Sequence, residues 1–127
     1  MREIKLKDNL SLIIEKEEEK FLVIALKGQI NSQNSYSFQN EILNILKDTP
    51  FIIFDCKELN YITSSGIGAF LFIRNKLRNN NGNVFLINPQ PKILSILGSM
   101  GVVNMIEEYN KILKIIESSN SFQQKNT

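Results

Sequence analysis

The chain opens with short apolar runs separated by polar turns. Isoleucine and leucine alternate with polar or charged residues over 4–6 and 10–14, and a fuller apolar run covers 21–26. Alternation with a period of two is typical of β-strands, and the charged segment 16–20 between the second and third runs suits a hairpin turn. The pattern therefore predicts three strands, the last two of which form a hairpin that ends at Gly28.

Beyond residue 31, stretches of helical spacing alternate with continuous apolar runs at 51–54 and 84–87. Continuous runs of this length are typical of strands that are covered on both faces. The helices are predicted to begin after the polar segment 31–35, near Ser64, at Pro91 and before residue 109. Their apolar residues are Phe38, Ile42, Ile45 and Leu46; Ile67, Phe70, Leu71 and Leu77; Ile93, Ile96, Leu97 and Met100; and Tyr109, Ile112, Leu113 and Ile116.

This order of elements predicts the α/β class, with a mixed sheet of four to five strands and about four helices packed against it. Strands that alternate with helices pair in parallel, and the opening hairpin adds antiparallel pairing. A short edge strand is expected between the third and fourth helices. One domain is predicted over 1–117, and the polar segment 118–127 is predicted to be a disordered tail.

Composition and charge limit the partners of the chain. Its 127 residues carry a formal net charge of only +2, with acidic and basic residues interleaved. We therefore expect neither a nucleic acid nor a membrane as partner. Cys56 is the single cysteine, so no internal disulfide can form, and no apolar stretch has the ~18 residues of a membrane span. A cytoplasmic monomer without cofactors is expected.

Histidine is absent from the sequence. A Ser-His-Asp or Cys-His nucleophilic system is therefore excluded, and the usual zinc sites lose their commonest ligand. The acidic residues lie mostly in predicted turns and on helix surfaces, as in Glu17-Glu18-Glu19, and show no converging pair. The sequence therefore predicts a binding protein and not an enzyme.

The segment from Asp55 to Gly68 joins a predicted buried strand to the second helix. Ser64 or Ser65 can cap this helix, because serine oxygens accept hydrogen bonds from free amides of the first turn. Gly66 and Gly68 each make the helix roughly 1 kcal/mol less stable than alanine would. Such a penalty indicates that glycine has a structural or functional role at these positions. With Ala69 they would leave an open face where a partner reaches Ser64, or they would let the helix pack closely on its own sheet.

The first two residues of this segment have simpler interpretations. Cys56 follows the predicted strand, where a buried structural thiol is expected more often than a reactive one. Asp55 ends the same strand, as a phosphoacceptor aspartate would, but the acidic pair that accompanies such a residue is missing. Capping of the loop is the better interpretation.

The stretch Thr63-Ser64-Ser65-Gly66-Ile67-Gly68 resembles the strand–loop–helix signature of STAS domains in bacterial anti-sigma-factor antagonists. The resemblance extends over most of the chain. It includes Gly28-Gln29-Ile30-Asn31 before the first helix, Asn80-Asn81-Gly82-Asn83 before an apolar strand, and the segment from Pro91 to Gly101. It implies a STAS-type fold.

The resemblance also implies partner switching. An unmodified antagonist of this kind binds an anti-sigma factor that is also a serine kinase of the histidine-kinase-like ATPase superfamily, and so frees a sigma factor. Phosphorylation of the first serine of the motif, here Ser64, blocks binding, and a serine phosphatase restores it. The partner-binding residues would be Asn31, Thr63, Ser65, Gly66 and Gly68.

The chain departs from the family pattern at two positions. Thr63 and Asn31 stand where aspartate is common. The alternative is therefore a STAS subunit that is not phosphorylated and serves as a structural piece of a stress-signalling or lipid-transport assembly.

Overall fold

Five strands form a single sheet in sequence order. In the computed structural model, which describes residues 2–125 and the side chains of 2–119, the first two strand pairs are antiparallel and the last two are parallel. The mixed sheet predicted from the sequence is thereby confirmed. The strands are β1 (Arg2–Leu6), β2 (Leu10–Glu17), β3 (Phe21–Ile30), β4 (Phe51–Ile62) and β5 (Asn83–Ile87).

Helices cover both faces of the sheet. Three of them pack on one face and share one hydrophobic cluster with the strands, whereas the fourth packs on the other face with Ile112 and Ile116. Every helix that was predicted is present. The helices are α1 (Ser35–Leu46), α2 (Ser64–Arg78), α3 (Pro91–Ser99) and α4 (Tyr109–Lys125).

Alternation along β4 explains how one strand serves two hydrophobic clusters. Ile52 and Phe54 belong to the cluster under α1, α2 and α3, and Phe51 and Ile53 belong to the cluster under α4. Phe54 also meets aromatic rings from two helices, with its ring centroid 5.5 Å from that of Phe38 and 5.3 Å from that of Phe70. This aromatic contact fixes α1 and α2 side by side over the central strands.

Both central strands are longer than predicted. The prediction that β3 ends at Gly28 was wrong, since the strand continues to Ile30, and β4 continues past Asp55 to Ile62. Shifts in register between Ala25 and Lys27 and between Gly28 and Gln29 let the ladder pass the polar residues. Both strands therefore end next to the helix starts that carry the predicted site.

The region after α3 also differs from the prediction. In place of an edge strand, the described chain has a 3₁₀ turn at Val103–Met105 and one parallel bridge between Leu86 and Ile106. Pro91 is the first residue of α3, as predicted, and Gly101 follows that helix with φ 72°.

The polar segment at the carboxyl end was expected to be a disordered tail. The helix α4 instead runs through residue 125, which corrects that prediction for 118–125; residues 126 and 127 lie outside the described residues. Serine, asparagine and glutamine are only moderately unfavourable in a helix, so a helix started by the buried turn of α4 can continue through them.

Candidate functional site

The carboxyl ends of β3 and β4 bring the starts of two helices to the same edge of the sheet. Ile30 and Ile62 are register partners, and the amide of Thr63 donates to the carbonyl oxygen of Ile30 at 3.0 Å. The segment that begins with Asn31 leads into α1, and Thr63 leads directly into α2. The structure therefore brings together the two segments that the sequence analysis singled out.

Ser64 is the first residue of α2, and its side chain is exposed. The prediction that Ser64 or Ser65 caps this helix was wrong, because Thr63 occupies the capping position with extended backbone angles. The side chain of Thr63 makes no capping hydrogen bond, and its Oγ1 is buried without a partner among the described residues. The Ser64 hydroxyl consequently has no capping role and faces solvent at the helix start.

The electrostatic environment of Ser64 favours negative charge. The first amides of a helix have no acceptor inside the helix, and they lie at the positive end of its dipole. Neither α1 nor α2 has an acidic residue in its first turn. A phosphate group on Ser64 would therefore meet free amides without repulsion from a carboxylate in these turns.

Asn31 shapes the turn between β3 and α1. Its Oδ1 accepts from the amides of Gln33 at 2.9 Å and of Asn34 at 3.2 Å. Both contacts lie within the turn, so this oxygen holds the backbone in shape. Aspartate would offer the same oxygen, which explains why asparagine can stand here without a change of local structure.

Asn34 is a structural residue that the sequence analysis treated only as part of a polar turn. It is fully buried, and its Nδ2 donates to the carbonyl oxygens of Lys7 at 2.9 Å and of Gln29 at 3.0 Å. Its Oδ1 accepts from the amide of Asn31 at 2.9 Å. Asn34 thus ties the turn between β1 and β2 to the end of β3, and composition gives no signal for such a role.

The two glycines of α2 have opposite surroundings. Gly66 is buried, and a Cβ at this position would lie 2.6 Å from Cγ1 of Ile62 and 2.9 Å from Cγ2 of Ile30. Gly68 is exposed, and a Cβ there would meet no atom within 4 Å. Ala69 is buried as well. The open face expected from all three residues is therefore formed by Gly68 alone, while Gly66 lets α2 sit close to the sheet.

Two exposed tyrosines flank the helix starts. Tyr36, the second residue of α1, is 72% exposed, and Tyr61, close to the end of β4, is 50% exposed. Aromatic side chains are enriched in the buried centres of protein interfaces. Neither tyrosine was predicted as a contact residue, although an aromatic side chain in a polar segment was a visible signal.

The family model described as "STAS domain" matches residues 13–120. The chain belongs to the STAS family. Among curated proteins, the domain is similar to BtrV of Bordetella bronchiseptica, assigned as an anti-sigma factor antagonist. The two are 24% identical over 90 residues, which cover 70% of this chain and 78% of BtrV.

Solved structures share the fold of this STAS domain. The anti-sigma factor antagonist SpoIIAA in its unphosphorylated form matches with a TM-score of 0.72 and 19% identity, over 84% of this chain and 96% of SpoIIAA. The murine anion transporter Slc26a9 contains a similar domain, with a TM-score of 0.68 and 12% identity, over 81% of this chain and 18% of the transporter. Among the residues described for this chain, no helix is long and apolar enough to cross a membrane.

Cys56 and Asp55 are neighbours within β4. Burial raises the pKa of the Cys56 thiol to about 12, with a smaller contribution from the Asp55 charge, so the thiol stays protonated at neutral pH. The predicted structural role of Cys56 fits this burial. Oδ1 of Asp55 accepts from the Lys57 amide at 3.1 Å and from Nδ2 of Asn88 at 3.2 Å. Asp55 therefore lies within β4 and does not end it, and its side chain links this strand to the residue that follows β5.

Alanine at the two glycines of α2 is expected to affect stability in opposite directions. Gly66→Ala should lower the free energy of unfolding by about 1–2 kcal/mol, because overpacking costs more than the gain in helix propensity. Gly68→Ala should raise it by up to about 1 kcal/mol, since only the propensity changes. Urea unfolding of both variants measures this difference. A Gly66→Ala variant as stable as Gly68→Ala would contradict the close packing of α2 on the sheet.

Proposed function

We propose that this STAS domain is an anti-sigma-factor antagonist that is switched off by phosphorylation of Ser64. The observation that carries the proposal is the position of Ser64, whose exposed side chain is the first of α2 and has no capping role. The similarity to BtrV and to SpoIIAA supports it. A further structure of SpoIIAA, in its phosphorylated form, has the same fold, with a TM-score of 0.63 and 19% identity.

The proposed partner is an anti-sigma factor that is also a serine kinase of the histidine-kinase-like ATPase superfamily. Contact residues would be Asn31, Thr63, Ser65 and Gly68, which lie at or close to the helix starts, whereas Gly66 would act only from beneath by keeping α2 on the sheet. A serine phosphatase would restore the unmodified state. The domain would act in the cytoplasm as a monomeric binding module without enzymatic activity.

Phosphorylation would block binding through charge and not through unfolding. The group adds about −1.5 to −2 charges at neutral pH, and the start of α2 tolerates an anion. The fold of the domain is therefore retained. The added charge lies within the contact surface, where it meets the partner's apolar or acidic groups at a cost of several kcal/mol.

The test of the proposal is phosphorylation of the purified protein by the anti-sigma factor kinase with ATP. We expect one phosphate per chain, located on Ser64 by mass spectrometry, and none on a Ser64→Ala variant. Ser65→Ala is the matched control and should be modified like the parent chain. Modification on Ser65 or Thr63 would move the switch to another residue, and the absence of any modification would refute the proposed switch.

The second candidate is a STAS subunit without phosphorylation, a structural piece of a stress-signalling or lipid-transport assembly. It is favoured by Thr63 and Asn31, which leave the helix starts without the carboxylates common at these positions. The presence of the same fold in a transporter is consistent with it. A pull-down distinguishes the candidates, because only the first predicts a partner with a kinase fold.

A further inference from the structure

Three exposed residues of different chemical character form a stripe along the outer side of α2, beyond Ser64. Gly68, Phe72 and Lys76 are spaced four residues apart, so they lie on one side of the helix. All three are exposed, and Phe72 remains 41% exposed despite its size. The ammonium group of Lys76 lies 5.8 Å from the centroid of the Phe72 ring. The outer side of α2 therefore presents an exposed aromatic ring and a cation in contact with each other, next to a glycine that leaves the surface open.

The same helix carries only positive charge. Arg74, Lys76 and Arg78 are its charged residues, and it has no acidic residue. The ion pairs found in the described part of the chain involve none of these three. Burial lowers the pKa of Arg74, and the charge of Arg78 lowers it further. Cations at a helix end interact favourably with the dipole, and they leave the outer side of α2 positively charged.

We propose that the α2 stripe, formed by Gly68, Phe72 and Lys76, docks an acidic segment of the partner kinase together with Arg78, which is exposed at the end of the same helix. The inference rests on the proposed function and adds the chemistry of the partner. Charge complementarity selects an acidic occupant, because α2 supplies cations without counterions among its own residues. The partner kinase is the proposed occupant because the stripe adjoins Ser64, where the contact with this kinase is proposed. Gly68 lies one turn beyond Ser64, and the stripe from Gly68 to Lys76 spans about 12 Å along the same helix.

The sign of this charge also accounts for the direction of the proposed switch. The first turns of α1 and α2 have no acidic residues, so they supply no carboxylate to repel a phosphate on Ser64. An acidic segment of the partner, held by the cations of α2, would be repelled by that phosphate. The cations of α2 would therefore attract the acidic segment of the partner, and phosphorylated Ser64 would repel the same segment.

Charge reversal at the exposed cations of α2 tests the proposal. Binding of the partner kinase is measured by calorimetry at low and at high salt, with thermal unfolding of each variant as the check on folding. Lys76→Glu and Arg78→Glu should each weaken binding about tenfold or more at low salt, with a smaller difference at high salt because exposed charges are screened. Phe72→Ala should weaken binding at both salt concentrations. The matched control is Lys114→Glu on α4, an exposed lysine on the opposite side of the sheet, which should bind like the parent chain.

The outcomes separate this inference from the proposed function. If Ser64→Glu abolishes binding while Lys76→Glu and Arg78→Glu bind like the parent, the α2 stripe is not the docking surface, and the switch stands. If the parent chain does not bind the kinase, the proposed function is refuted, and the proposal of an acidic docking segment on that kinase is refuted with it.

Binding of duplex DNA is measured in parallel by fluorescence anisotropy. Tight DNA binding that is lost in the two charge-reversal variants would overturn the inference and assign the face to nucleic acid.

Discussion

Ser64→Glu is expected to weaken binding of the partner kinase by about a hundredfold or more, because it places a fixed negative charge in the centre of the proposed contact surface. The matched control is Ser64→Gln, which adds a side chain of nearly the same size without charge. Glutamate at the first position of a helix is compatible with the dipole, so the fold should be unaffected. Calorimetric titration of both variants against the kinase measures the effect.

The comparison of glutamate with glutamine decides between charge and bulk. If both variants bind weakly, steric obstruction explains the loss, and a phosphate would act by its size. If glutamate binds as tightly as the parent chain, negative charge at Ser64 does not control binding, and the STAS subunit without phosphorylation becomes the better description. Circular dichroism of each variant confirms that the comparison is made on folded protein.

Gly28→Ala is expected to cause the largest loss of stability among single alanine substitutions at the glycines discussed above. Gly28 has φ 112°, a conformation that other residues rarely adopt, and a Cβ would lie 1.8 Å from the carbonyl oxygen of Asn9. Backbone atoms cannot move aside as a flexible side chain can. Strain and overpacking together should lower the free energy of unfolding by about 3 kcal/mol or more. Urea unfolding measures this loss.

The position of Gly28 connects this loss to the site. Asn9 belongs to the turn between β1 and β2, and the neighbouring Lys7 accepts a hydrogen bond from the buried Asn34. A shift of this turn would therefore disturb the segment that leads into α1. Gly68→Ala is the control for glycine replacement in general, since it meets no atom. A Gly28→Ala variant with the stability of the parent chain would contradict the close approach of β3 to this turn.

Local pattern determined the elements of this protein. Period-two alternation identified β1 and β2, and helical spacing identified α1 through α4, because each pattern reflects which side of an element is buried. The absence of histidine excluded its catalytic and metal-binding roles from composition alone. The likeness of the segment around Ser64 to a STAS motif was also visible, since it consists of neighbouring residues.

The ends of these elements and the surroundings of single residues were decided by the tertiary structure. Composition gave Gly66 and Gly68 the same interpretation, yet Gly66 faces Ile30 and Ile62 from neighbouring strands, and Gly68 faces solvent. The capping position of α2 likewise belongs to Thr63 and to neither serine, because Ser64 is already the first helical residue. Such outcomes depend on contacts between residues far apart in the chain. A local pattern indicates that a side is buried, but only the packed sheet and helices fix which atoms cover it.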